Sequence, residues 1–152
     1  MRQTFMRRTI LGLGLGGAVG VLLGRTPSYA ATVAYKADLK GSSEVPPNDT
    51  KGSGSLTATY DPATKELSWK GSYSGLTGEA TAAHFHGPAE PGKNAGVEVW
   101  ISTKGSPFPT SFEGKATLTD AQAGDLEKGL LYANIHTAAN PGGELRGQVV
   151  KA

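Results

Sequence analysis

The sequence predicts an all-β fold, a sandwich or barrel of about eight short strands with one short helix, and three observations carry that expectation. Beyond residue 30, apolar residues recur at every second position, as in Leu56-Thr57-Ala58-Thr59-Tyr60 and Leu67-Ser68-Trp69. This is the period of a strand with one face on a core. The alternating runs are short, and glycine- and proline-bearing breaks such as Pro46-Pro47-Asn48-Asp49 and Gly87-Pro88-Ala89-Glu90-Pro91-Gly92 separate them. Only one stretch, residues 119–129, reads as helical.

In order, residues 32–39 form a first strand with Val33, Tyr35 and Ala37 or their neighbours inward, and 41–51 a loop. Leu56, Ala58 and Tyr60 mark a second strand, closed by the turn Asp61-Pro62-Ala63-Thr64. Leu67, Trp69, Gly71 and Tyr73 line one face of a third. Residues 81–86 make a fourth, and in a fifth Val97, Val99 and Ile101 alternate with Glu98, Trp100 and Ser102. A sixth spans 112–118, and 131–137 and 144–150 are the last two. Thr119-Asp120-Ala121-Gln122 resembles a capping box, which predicts one or two helical turns over 123–128, ended by Gly129.

Residues 1–30 stand apart from the fold. Arg2, Arg7 and Arg8 precede a glycine-rich apolar run over residues 10–24, and Ser28-Tyr29-Ala30 offers a small-residue cleavage site. This is the pattern of a secretory signal peptide, and its apolar core is too short for a membrane span. Arg7-Arg8 also fits a twin-arginine export signal. The expectation is an exported protein, periplasmic or secreted, with one domain over 31–152 and no transmembrane segment after the leader. Four of the fifteen basic residues belong to that leader, leaving eleven against thirteen acidic ones. With no basic stripe left, nucleic acid is not an expected partner. The chain has no cysteine, which excludes thiolate ligands, disulfides and a cysteine nucleophile.

All three histidines are suggestively placed. On a strand His84 and His86 project to one face, with Cα atoms about 7 Å apart. His136 occupies Ala133-Asn134-Ile135-His136, which echoes Ala83-His84-Phe85-His86. With Ala83, Phe85, Ala133 and Ile135 turned to the core, the histidines should lie on the opposite face or at its rim. If the two strands are neighbours, three neutral imidazoles converge on one ion, a donor set suited to copper, zinc or iron. The alternative is three solvated histidines.

Further motifs carry a family resemblance. Ala37-Asp38-Leu39-Lys40-Gly41 with Glu44-Val45-Pro46-Pro47, then Ala83-His84-Phe85-His86-Gly87 and Tyr132-Ala133-Asn134-Ile135-His136-Thr137, run on to Asn140-Pro141-Gly142-Gly143-Glu144-Leu145-Arg146-Gly147-Gln148. Together they resemble the CHRD domain, named for chordin and also found in bacterial exported proteins. The resemblance implies a Greek-key, immunoglobulin-like β-sandwich with limited similarity to copper-zinc superoxide dismutases. It implies that His84, His86 and His136 are similar to three copper ligands of those enzymes, and that Arg146 is similar to the arginine that attracts superoxide. No histidine is left for the dismutase's bridging ligand, no run of zinc ligands lies between His86 and His136, and the disulfide has no cysteines. The resemblance therefore implies a single-metal site at most.

Other residues stay open between two readings. Glu98 is a carboxylate ligand or a solvated edge residue. Asn134 orients a ligand or makes a hydrogen bond beside a turn. Arg146 is an anion guide or half of an ion pair with Glu144. Asn48-Asp49-Thr50 matches the glycosylation triplet, a chance match in a bacterial-looking protein. No G-x-S-x-G elbow and no phosphate-binding loop is present. The function expected is metal binding, copper favoured, with superoxide dismutase-like redox activity. A non-catalytic module that presents loops 41–51 and 87–95 to an envelope protein or glycan is the competing expectation.

Overall fold

The structure is a computed structural model that describes residues 31–152; the expected leader, residues 1–30, lies outside the described residues. Nine strands follow: β1 (Val33–Lys40), β2 (Ser53–Asp61), β3 (Glu66–Ser74), β4 (Ala80–His86), β5 (Val97–Trp100), β6 (Ser111–Thr117), β7 (Tyr132–Thr137), β8 (Leu145–Gln148) and β9 (Val150–Lys151). A 3-10 turn, Gly41–Ser43, follows β1, and helix α1 (Asp120–Glu127) joins β6 to β7. The pairings are antiparallel, in the order β5-β4-β7-β8-β1-β2-β3-β6, with β9 also on β1. The result is the expected all-β architecture, a nearly closed sandwich with one short helix. Among the described residues no helix is long and apolar enough to cross a membrane.

Alternation builds the core. Tyr35, Ala37 and Leu39 of β1, Leu56, Ala58 and Tyr60 of β2, and Leu67, Trp69 and Tyr73 of β3 turn inward while their neighbours stay at the surface. Phe85, Ala133, Ile135 and Leu145 come from the other half of the path. Trp69 meets Phe85 edge to face with centroids 5.2 Å apart, so the two halves face each other across one apolar layer. Thr119 caps α1 as the sequence predicts: its hydroxyl accepts from Gln122 N–H, and the Gln122 side chain accepts from Thr119 N–H. Gly129 ends the segment with φ +72°.

Two features differ from the expectation. The last predicted strand is split: β8 ends at Gln148, the Val149 side chain enters the core, and β9 pairs with β1. More consequentially, β4, β7 and β8 are buried on both faces rather than one. The face opposite the apolar core carries His84, His86, Tyr132, Asn134 and Arg146, all under 9% exposed. Loop 44–50, the strap 87–96 and loop 138–144 fold over it, linked by hydrogen bonds such as Asn94 to Val45 O and Thr50 to Glu144. Alternation reports which face a residue occupies, not what a distant loop lays over that face. Hence His84 and His86 lie in a second, polar interior rather than on a wet rim.

Candidate metal centre

β4 and β7 are direct neighbours, which meets the condition the three histidines required. In register, His84 faces Asn134, His86 faces Tyr132, and His136 faces Ala82. His136 is therefore diagonal to His84, within reach for side chains as long as imidazole. Ring centroids lie 5.0 Å apart for His84 and His136, 5.4 Å for His84 and His86, and 5.7 Å for His86 and His136. One nitrogen from each ring can be chosen so that all three lie within 4.8 Å of one another.

Hydrogen bonds assign the protons. Carbonyl oxygens only accept, so His136 Nδ1–H donates to Pro141 O at 2.9 Å and His86 Nδ1–H donates to Ala95 O at 3.1 Å. Nε2 of both rings then carries a lone pair. His84 Nδ1, 3.1 Å from His136 Nε2, must be the donor of that bond, which leaves its own Nε2 as a lone pair too. Nε2 of His84 and Nε2 of His86 are buried and have no hydrogen-bond partner.

Electrostatics keep the rings neutral. Burial, together with the facing His136 and His86, pushes His84 down to about 4. Burial also lowers His86 and His136, against the opposing pull of the Ala95 and Pro141 carbonyls. At neutral pH the site thus offers lone pairs rather than charges. A buried lone pair with no donor is costly, and a Lewis acid is the partner that would satisfy Nε2 of His86. Nε2 of His84 can take up the proton that its Nδ1 gives up to an ion. Two nitrogens on one four-coordinate ion stand about 3.3 Å apart for bonds of about 2.05 Å, close to the His84–His136 separation. By the chemistry of its donors and by its orphaned atoms, the cluster fits a transition-metal ion.

The other expected residues lie elsewhere in the network. Asn134 donates to Glu44 Oε1 at 2.6 Å and to Leu145 O at 3.1 Å, so it holds loop 44–50 rather than a histidine nitrogen. Glu98 lies outside the histidine cluster. β5 is irregular opposite Phe85 and His86, pairing Val97 with His86 and Val99 with Phe85, so Glu98 falls on the bulge. A bulge re-aims the side chain it carries, and the Glu98 carboxylate accepts from Gln122 of α1. Arg146 forms no ion pair with Glu144. The Glu144 carboxylate takes five donors from Thr50, Thr77, Thr137 and Asn140, while Arg146 donates to Asn94 and Lys93 O. At 2% exposure its guanidinium faces the strap, not solvent.

Three neighbours were not singled out in the sequence. Trp100 packs edge-on against His84 with centroids 4.1 Å apart. Tyr132 stacks on His86, at 5.0 Å and 6°. Glu44 is a buried carboxyl that burial pushes up to about 7, against the lowering effects of Asn134, Arg146 and Val45. A signal existed for Tyr132, which shares the 132/134/136 face by period two. None marked Trp100 or Glu44 as neighbours of the site, because both arrive from distant segments.

Residues 35–149 match the family model of the CHRD domain. No curated protein and no solved structure matches the chain.

Proposed function

The chain belongs to the CHRD domain family, and on that premise we propose that it is an exported protein holding one transition-metal ion between His84, His86 and His136. Copper is favoured, with zinc and iron as alternatives, and superoxide dismutation is the reaction to test first. The observation that carries the reading is the buried, unpartnered Nε2 lone pair of His86 beside the His84 Nδ1–His136 Nε2 pair, which stands at the spacing of two ligands on one ion. Three neutral nitrogens tolerate both common copper oxidation states, and bound copper would supply one-electron exchange. The protein's own residues hold the site ready. Pro141 O and Ala95 O keep protons on Nδ1 of His136 and His86, Trp100 covers the flank of His84, and the surrounding loops bury His84 and His86. With no fourth histidine in the chain, the proposal is a single-metal site.

Titration of the metal-free protein with copper and zinc tests it. One equivalent should bind, and His84→Ala, His86→Ala and His136→Ala should each weaken binding at least about tenfold. If His136→Ala binds as tightly as the parent, the three-ligand site is wrong. Superoxide turnover by the copper-loaded protein, absent in His84→Ala, tests the redox limb separately.

A second reading, a non-catalytic module for an envelope protein or glycan, draws on a different surface. The outward face of β2, β3 and β6 holds an open hollow of about 590 Å³ lined by Ser55, Thr57, Lys70, Ser72, Ser111 and Glu113. Hydroxyls beside one cation and one anion suit polar ligands. Copper-dependent turnover that is lost with the histidines decides against this reading.

A further inference from the structure

We propose that Arg146 is a positioning residue for the candidate metal centre: with Tyr132 it clamps the strap 93–96, so that Ala95 O holds the proton on His86 Nδ1 and presents Nε2 to the ion. This deepens the three-histidine reading and rests on it.

Burying a guanidinium is costly. Arg146 is 2% exposed, and among the described residues no carboxylate lies within ion-pair distance of it, although its charge acts on the buried Glu44 carboxyl. A cation is retained in such a place only if specific contacts offset its desolvation. Arg146 Cζ lies 3.5 Å from the centre of the Tyr132 ring, a stacked cation–π contact. Nη1 donates to Asn94 Oδ1 at 3.0 Å and Nη2 to Lys93 O at 2.5 Å. Two consecutive residues of the strap are thus held by one planar fork.

Tyr132 continues the clamp. Its hydroxyl accepts from Ala95 N–H at 3.1 Å and lies 3.4 Å from Ala95 O. Its strand β7 lies between β4 and β8, so His86 and Arg146 come from opposite neighbours, the phenol parallel to the imidazole and under the guanidinium. Ala95 O is also the acceptor for His86 Nδ1–H. One residue, Ala95, therefore receives both the tyrosine hydroxyl and the histidine, and the arginine fixes the two residues before it. Asn94 reaches on to Val45 O, which joins the strap to loop 44–50.

The consequence is tautomeric. Without the carbonyl in place, a neutral imidazole distributes its proton between Nδ1 and Nε2, and the Nε2–H form cannot ligate through that nitrogen. Lysine keeps the charge of Arg146 but cannot stack and donate twice in one plane. Arg146→Lys thus separates geometry from mere positive charge near the site, the property an anion guide would need.

The test is nitrogen NMR of the metal-free protein, paired with zinc titration. In the parent, His86 should appear as the Nδ1–H tautomer. In Arg146→Lys its nitrogens should move toward a tautomer mixture and the zinc Kd should rise about tenfold or more, with His136 unchanged. Tyr132→Phe keeps the stack and removes only the hydroxyl contacts to Ala95, so it guards against a misfolded arginine variant; it should move the same two readouts. The proposal is overturned if the parent His86 is Nε2–H, or if both variants keep the parent's tautomer and zinc affinity. A parent that binds neither zinc nor copper sinks the three-ligand reading instead, and the tautomer measurement still reads the clamp.

Discussion

Nδ1 of His84 and Nε2 of His136 stand 3.1 Å apart across neighbouring strands, with one proton between them. An ion bound to both would take the place of that proton. The proton has somewhere to go, because His84 Nε2 is without a partner.

Proton release on metal uptake should accordingly be small at pH 7. All three imidazoles lie below their ordinary value, so they enter the complex neutral, and the His84 proton moves between nitrogens of one ring. Calorimetric zinc titrations in two buffers of different ionisation enthalpy should agree to well under one proton released. Release of a full proton would mean that one of the histidines is charged.

Metal should also stabilise the fold. At a free zinc concentration of one hundred times Kd the gain is about 2.7 kcal/mol. For a domain of this size that is roughly a 10 °C rise in Tm. Differential scanning calorimetry should show the rise in the parent and lose most of it in His136→Ala. An equal rise in both would place the zinc elsewhere.

Glu44 imposes a pH dependence of its own. Its folded-state value, about 7, lies above the ordinary 4.5, so the unfolded chain releases this proton first as pH rises. The stability it contributes is whole below pH 4.5 and is lost on the way up through pH 7. Glu44→Gln removes the loss. Urea unfolding should show the variant gaining on the parent by up to about 3 kcal/mol between pH 5 and pH 8. A gap that does not move with pH would mean that Glu44 is ionised in the fold throughout.

Glu144 behaves in the opposite way. Burial alone would raise its pKa, but hydroxyls of Thr137, Thr50 and Thr77 and the Thr77 N–H hold it at about 2. Its contribution is present above pH 4.5 and is lost as pH falls toward 2. Glu144→Ala strands those donors and should cost about 3–5 kcal/mol at pH 7. Against Glu144→Gln, the parent's advantage should shrink by about 2 kcal/mol between pH 5 and pH 3, read from urea midpoints. A constant advantage would mean that the hydroxyl cradle does not select the ionised form.

What the sequence determined by itself was local. Period two in Leu56-Thr57-Ala58-Thr59-Tyr60 places side chains on alternate faces in any antiparallel sheet, the Thr119–Gln122 box caps a helix wherever it sits, and His84 and His86 share a face because a strand repeats every two residues. The family motifs added an order of segments. Tertiary structure alone decided the rest: that β4 lies beside β7, that a bulge turns Glu98 toward α1, that loops seal the histidine face, and that Arg146 stacks on Tyr132 instead of pairing with Glu144. These are contacts between segments up to 96 residues apart. Backbone periodicity constrains the direction of a side chain but carries no information about which distant chain will cover it.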